Sequence, residues 1–395
     1  MTSTHQEQRP ALDELGRFLI ETGSMTSDWA EAFAAVPRSA FLPPVMWPHD
    51  METGRSVPVS KADDPAGWQA AANSNSPIVT QWDDGKHAGM DPGELSTSSA
   101  SAPAVVFRML ADLDPQPGDA VLELGAGTGY NAGLLAYRVG GGNVVTVDVD
   151  PAVTSQARQA LQSLGLSVTV VTGDGLLGYP QRAPYDRLIA TFGLRAIPGA
   201  WVEQTRPGGV IVAPWGTNFA HHDAVARLNV AADGRSASGR FTRLVEFMKA
   251  RSQRLGFDGH AAYVPEDVPG SADESHTEVP AEDFPAHLGA PARFAIGLQV
   301  DGMWHGVSVS GDRRLAWFYS LNDRSWAVVA FRDGQHKHTV YQSGPRRLWD
   351  EVEAAWRWWD AAGQPGVGRF GLTVRADGAH EVWLDEPGGL VPVAA

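Results

Sequence analysis

From Pro103 onward the apolar positions fall into a regular order. Residues 103–113 repeat at helical spacing with Pro in the first turn, which predicts a helix. Short apolar runs at 120–124, 143–149 and 168–171 predict strands, and periodic segments at 130–139 and 151–164 predict the helices between them. A further strand at 186–191, a helix near 199–205 and a strand at 210–214 continue the series. Strands alternating with helices predict an α/β fold with a parallel, doubly wound sheet. Residues 222–231 and 240–248 read as an antiparallel pair closing its edge.

The flanks are patterned differently. Residues 10–22 and 28–35 are helical in period, and Pro37 stops the second helix. Residues 48–96 are rich in Asp, Gly, Ser and Pro and predict loop, with one strand at 77–81. Residues 262–285 are poor in aromatics and predict a linker. Beyond it, strands are expected at 294–300, 303–309, 315–320 and 326–331, then a helix at 348–361 and a hairpin across Asp377-Gly378. The expected organisation is an N-terminal helix and loop region to residue 96, a nucleotide-binding-type domain over 97–255, a linker over 256–288 and a smaller α+β domain over 289–395.

Composition narrows the chemistry. The chain has no Cys, which excludes disulfides and thiolate nucleophiles. It has 12 His but no H-E-x-x-H pattern, and no metal is expected. The net charge of −15 argues against nucleic acid as a partner. No apolar run approaches a membrane span, and no basic-then-apolar leader is recognisable, so a cytoplasmic protein is expected. Composition does not indicate an oligomeric state.

The densest chemical signal is at 121–130, Val-Leu-Glu-Leu-Gly-Ala-Gly-Thr-Gly-Tyr. Gly125, Gly127 and Gly129 follow a strand and open a helix, so the backbone there can approach a nucleotide-like ligand. The dinucleotide pattern G-x-G-x-x-G is absent, which argues against a dehydrogenase. Glu123 at the strand end would repel a pyrophosphate but suits a cation. S-adenosyl-L-methionine, which carries a sulfonium and an ammonium and no phosphate, meets that requirement. Glu123 could face that ligand or hydrogen-bond the loop. Asp148 ends the next strand, where a carboxylate can accept ribose hydroxyls. A helix N-cap is the other use for Asp148, though Asp150 before Pro151 fills it better.

Six ordered pieces resemble the protein-L-isoaspartate O-methyltransferase family. They are Ser99–Pro103, Val121–Gly129, Val145–Asp148, Thr172–Gly175, Ala183–Asp186 and Arg206–Gly209, with an N-terminal echo at Val36–Phe41. The resemblance implies a Rossmann-like class I methyltransferase fold that binds S-adenosyl-L-methionine and releases S-adenosyl-L-homocysteine. It places Asp174 and Gly175 near the adenine, although Asp174 also reads as a turn residue. It places Ser101 beside the methyl acceptor, with Ser99 in the position of a threonine, and Ser98 and Gln81 on the substrate side. Helix capping before Pro103 is the ordinary alternative for this Ser string.

The repair enzymes of that family end soon after these motifs, whereas this chain continues to residue 395 and carries an insertion after Gln81. The layout resembles a subgroup that works with ribosomal-peptide maturation systems making graspetides and lanthipeptides. That likeness implies methylation of an Asp side chain in a crosslinked precursor peptide, leading through an aspartimide to isoAsp. General isoaspartyl repair is one alternative. A non-catalytic cofactor-binding scaffold is the other.

Overall fold

The computed structural model describes residues 13–265, 270, 272–281 and 289–393. The expected fraying of residues 1–9 and part of the expected linker lie outside these residues.

The N-terminal region opens with two short helices, α1 (Glu14–Glu21) and α2 (Ala30–Ala35). The stretch expected to be mostly loop is instead a small antiparallel sheet. It contains β1 (Val45–Asp50), β2 (Arg55–Ser56), β3 (Val59–Ser60), β4 (Ile78–Trp82) and β5 (Ser96–Ala100), with helix α3 (Pro65–Ala72) packed on it. Its polar sequence hides it. Only Met46, Ile78, Ala100, Trp68 and Ala72 are buried between the sheet and α3, too few to give a visible apolar period.

The main sheet is built from β6 (Val121–Leu124), β7 (Val144–Asp148), β8 (Thr169–Thr172), β9 (Tyr185–Ala190) and β10 (Thr205–Trp215), all parallel. Helices α4 (Pro103–Leu113), α5 (Tyr130–Val139), α6 (Pro151–Ser163) and α7 (Gly199–Gln204) connect and cover it. Alternation along β6 feeds two cores, as a strand buried on both faces must. Val121 packs with α4 and α5, while Leu122 and Leu124 pack with Trp201 and Val202 of α7. The parallel strands run in the order β10-β9-β6-β7-β8. The chain therefore steps outward from β6 to β8 and then jumps back to β9. Ligands in such sheets bind at that reversal, at the carboxyl ends of the strands.

The antiparallel pair β11 (Asp223–Val230) and β12 (Ser236–Val245) extends the sheet but does not close it. A second antiparallel sheet comes next, containing β13 (Asp273–Thr277), β14 (Met303–Ser310), β15 (Arg313–Ser320), β16 (Trp326–Arg332) and β17 (His338–Ser343). Helices α8 (Ala290–Gly297) and α9 (Leu348–Ala361) pack together beside it. Two expectations fail here. Strand β13 lies inside the supposed linker, paired with β17. The expected strand at 294–300 is helix α8 up to Gly297 and a turn beyond it. Phe294, Ala295 and Ile296 are all buried, and a fully buried run has no period to tell helix from strand.

The final hairpin, β18 (Phe370–Arg375) and β19 (His380–Leu384), leaves the C-terminal unit. Strand β18 pairs with β12, so the chain's end completes the main sheet. Strand β18, which lies beyond the boundary expected at residue 289, is thus a strand of the main sheet. No helix among the described residues is long and apolar enough to cross a membrane.

Candidate active site

A cleft of about 280 Å³ opens at the reversal of strand order. Its floor is the glycine turn. Gly125, Gly127 and Gly129 have φ of +94°, +50° and +91°, a region that L side chains rarely adopt. A Cβ on Gly125 would also lie 2.5 Å from Thr191 Oγ1 and 2.9 Å from the Phe192 ring. Thr191 ties the turn down by donating to the Gly125 carbonyl at 2.6 Å.

Glu123 and Asp148 line this cleft together. Glu123 shares the strand parity of Val121 and so points toward α5, where it is fully buried. It accepts from Asn131 Nδ2 at 2.7 Å and Thr146 Oγ1 at 2.5 Å, and not from the glycine-turn backbone. Burial pushes its carboxyl up to about 7, and the neighbouring Asp148 acts in the same direction. Asp148 accepts from the N–H groups of Gly127 and Asp150, both at 3.1 Å. Burial raises its carboxyl as well. Asp150 is the N-cap of α6, accepting from Ala152 and Val153. Asp174 also lines the cleft while capping a short turn through the Leu176 N–H at 2.9 Å. Gly175 lies buried beside Leu124 and Phe192.

The Ser string forms the opposing edge. Period two along β5 puts Thr97, Ser99 and then Ser101 half-exposed, while Ser98 and Ala100 are buried. Ser98 contributes to the lining, but its hydroxyl is taken by Thr80 at 3.3 Å. Helix capping does not occupy the other serines. The N-cap of α4 is Ala102, which offers no side-chain oxygen, and the Ala104 N–H is instead held by Asn75 Oδ1 at 2.8 Å. The hydroxyls of Ser99 and Ser101 have no partner among the described residues and line the cleft. Gln81 is not part of the lining. Its side chain braces Asp150 at 3.0 Å and accepts from Thr97 at 2.9 Å.

Sequence reading assigned no role to Arg38, Asp84 or the basic segment 247–254. Arg38 is 6% exposed, and its guanidinium donates to the carbonyls of Ala72, Ser74, Ser76, Ala100 and Ser101 at 2.9–3.3 Å. Burial lowers it to about 10, so it stays charged at neutral pH. It fixes the Ser string from behind. Segment 247–254 crosses the cleft. Lys249 bridges to Gly193, just past β9, and Arg251 reaches Asp150, just past β7, at 2.9 Å. Strand β6 and its glycine turn lie between these two points. The run of cations Lys249, Arg251 and Arg254 in an acidic chain was the available signal.

Residues 86–251 match the family model described as protein-L-isoaspartate(D-aspartate) O-methyltransferase. A curated protein-L-isoaspartate O-methyltransferase of Hyperthermus butylicus is 41% identical over 132 residues, covering 31% of this chain and 55% of that protein. The enzyme of that name from Aeropyrum pernix is 48% identical over 120 residues, covering 30% and 46%. The chain thus spans about half the length of the curated relatives it matches. A solved structure titled protein-L-isoaspartate O-methyltransferase superposes with a TM-score of 0.52 at 20% identity, over 94% of this chain and 99% of the other. The fold is that of a class I methyltransferase. The superposition over nearly all of both chains also corrects one expectation. A chain continuing well past the shared motifs is not peculiar to this protein.

Proposed function

We propose that this protein is an S-adenosyl-L-methionine-dependent O-methyltransferase acting on the carboxylate of an aspartyl-type residue in a peptide or protein. The observation that carries this reading is one cleft lined by a buried acid, Glu123, and a half-buried one, Asp148, beside a glycine turn and two unengaged serine hydroxyls. The residues present fit such a cofactor. Glu123 is a buried carboxylate with no cation beside it, and a Cβ on Gly127 would fill the space 3.4 Å from the Ser99 carbonyl. When bound, the cofactor supplies an electrophilic sulfonium methyl group and leaves as S-adenosyl-L-homocysteine. Glu123 and Asp148 would offer negative charge to its cationic part and its ribose, with Asp174 and Gly175 toward the base.

Little proton transfer is needed, because a carboxylate with an ordinary value near ~4 is ionised at neutral pH. Ser101 and Ser99 donate to the acceptor and hold one oxygen in line with the methyl group. So held, the acceptor oxygen would take the methyl group as the carbon–sulfur bond breaks, with the electron pair left on sulfur. In the ester product, the following backbone nitrogen can expel methanol and close a succinimide. Water then opens that ring to Asp or isoAsp.

For the acceptor, our reading is an Asp side chain in a crosslinked ribosomal precursor peptide of graspetide or lanthipeptide type. The insertion after Gln81, which stands beside the Ser string, supports it. General repair of isoaspartyl residues is the second reading, favoured by the names of the relatives over the matched segment. Incubation with methyl donor and three peptides separates them by mass: a linear isoAsp peptide, a linear Asp peptide and a ring-closed Asp peptide. Ester or dehydrated product on the ring-closed peptide above the others is expected. Preference for the linear isoAsp peptide would establish repair, and no product on any peptide would overturn the methyltransferase reading.

A further inference from the structure

The segment after Gln81 places one carboxylate against the cleft-lining Arg251 and Arg254. Asp83 and Asp84 are successive residues with φ of +51° and +53°. Asp83 braces the inserted loop by accepting from the N–H groups of Leu95 at 2.7 Å and Glu94 at 3.2 Å. The Asp84 N–H donates to Thr97 Oγ1 at 3.1 Å, which joins it to the Ser string. Its carboxylate is held by two arginines from the segment that crosses the cleft. Arg254 donates through both terminal nitrogens, at 2.9 and 3.0 Å, and Arg251 Nε lies 3.0 Å away. Both arginines line the same cleft as Ser99 and Ser101.

We propose that Arg251 and Arg254 form a second carboxylate-recognition point, which takes an acidic side chain of the peptide next to the residue to be methylated, and that Asp84 fills it until the peptide binds. This rests on the peptide-carboxylate reading above. A planar guanidinium fork matches a carboxylate in two parallel hydrogen bonds, and one carboxylate can replace another without leaving either arginine unpaired. Asp150 does not exchange in this way, because it also caps α6. With Asp84 withdrawn, Arg254 has no ion-pair partner among the described residues, while Arg251 keeps Asp150 with Asp148 near it, and Lys249 and Arg195 keep Asp223 with Glu246 near Lys249. That leaves one unpaired guanidinium at the cleft in a chain whose net charge is −15. A cation there holds an acidic side chain that the rest of the surface repels.

The test uses the full chain loaded with S-adenosyl-L-homocysteine and fluorescein-labelled, C-terminally amidated peptides. Each carries a central isoaspartyl or aspartyl residue flanked by Glu or by Gln, and binding is read by anisotropy. The wild-type chain should prefer the Glu peptide by about tenfold, as expected for a forked charge pair. Arg254→Gln and Arg251→Gln should bring that ratio toward one, with Arg254→Lys between. Asp84→Asn should widen it, a gain that misfolding cannot produce. A Gln peptide with a free C-terminal carboxylate shows whether a chain end serves as well as a side chain, and equal binding to the Glu peptide would overturn the side-chain assignment. A wild-type ratio near one, an unchanged ratio in the arginine variants, or weaker binding of both peptides by Asp84→Asn would each overturn the proposal. Glu preference without methyl transfer to any peptide would sink the methyltransferase reading alone. Methyl transfer without preference would sink the second subsite alone.

Discussion

Glu123 is a carboxyl group shielded from water, with a second acid near it and only neutral donors in contact. Its value rises from an ordinary 4.5 to about 7, so the folded chain binds this proton more tightly than the unfolded chain does. The stabilisation is complete below pH 4.5 and is lost as pH rises toward 7. Above that, the ionised group costs on the order of 3 kcal/mol. Glu123→Gln should therefore raise Tm relative to wild type at pH 8 and leave it nearly equal at pH 5. Calorimetric melts at the two pH values check this. A bound sulfonium reverses the preference by favouring the ionised form. Cofactor binding to the wild-type chain should therefore release a proton between pH 5 and 7, and the variant should bind more weakly without that release. Titration calorimetry in two buffers of different ionisation enthalpy measures the proton directly.

At the scale of elements, Arg38 decides where the Ser string stands. One side chain joins the end of α3, the loop before β4 and the end of β5. Removing its guanidinium takes a donor from five carbonyls behind the Ser string. Arg38→Met should cost about 3 kcal/mol of stability. It should also lower kcat more than it raises KM for the methyl donor, because Ser99 and Ser101 move while the glycine turn does not. Urea melts and steady-state kinetics on one preparation separate the two effects. Equal loss at both ends of the cleft would show that Arg38 supports the whole molecule and not the acceptor edge. The small sheet that Arg38 braces has no clear period, because its strands are short and mostly polar.

For the whole molecule, the hairpin β18–β19 binds the C-terminal unit to the main sheet. Strand β18 covers the edge of β12, and Phe370, Leu372 and Val374 complete the core that holds Trp201 and Phe241. A chain cut after residue 255 would expose that edge and that core. It should aggregate or melt well below the full chain, and the full chain should unfold in a single calorimetric transition. Two resolved transitions would mean that the C-terminal unit folds by itself.

The amino-acid order alone determined the parts whose cause is local. Alternating strands and helices from residue 103 to 214 follow from apolar period, and the turn at 125–129 follows from glycines at positions that need positive φ. Glu123 and Asp148 could be picked out because each stands at the end of a strand beside the glycine turn, whereas Ser101 was implied only by the family resemblance of the Ser string. Tertiary structure decided what depends on distant segments meeting. It engaged the Gln81 side chain with Asp150 and Thr97, and it left the Ser99 and Ser101 hydroxyls unengaged by supplying Asn75 as a remote cap. It also brought Arg251 and Arg254 onto Asp84, which lies 170 residues from Arg254 in the chain. Periodicity reports which face of an element is buried but not what covers it. The proposed acceptor edge, built from three separate stretches of chain, is for that reason a property of the folded molecule.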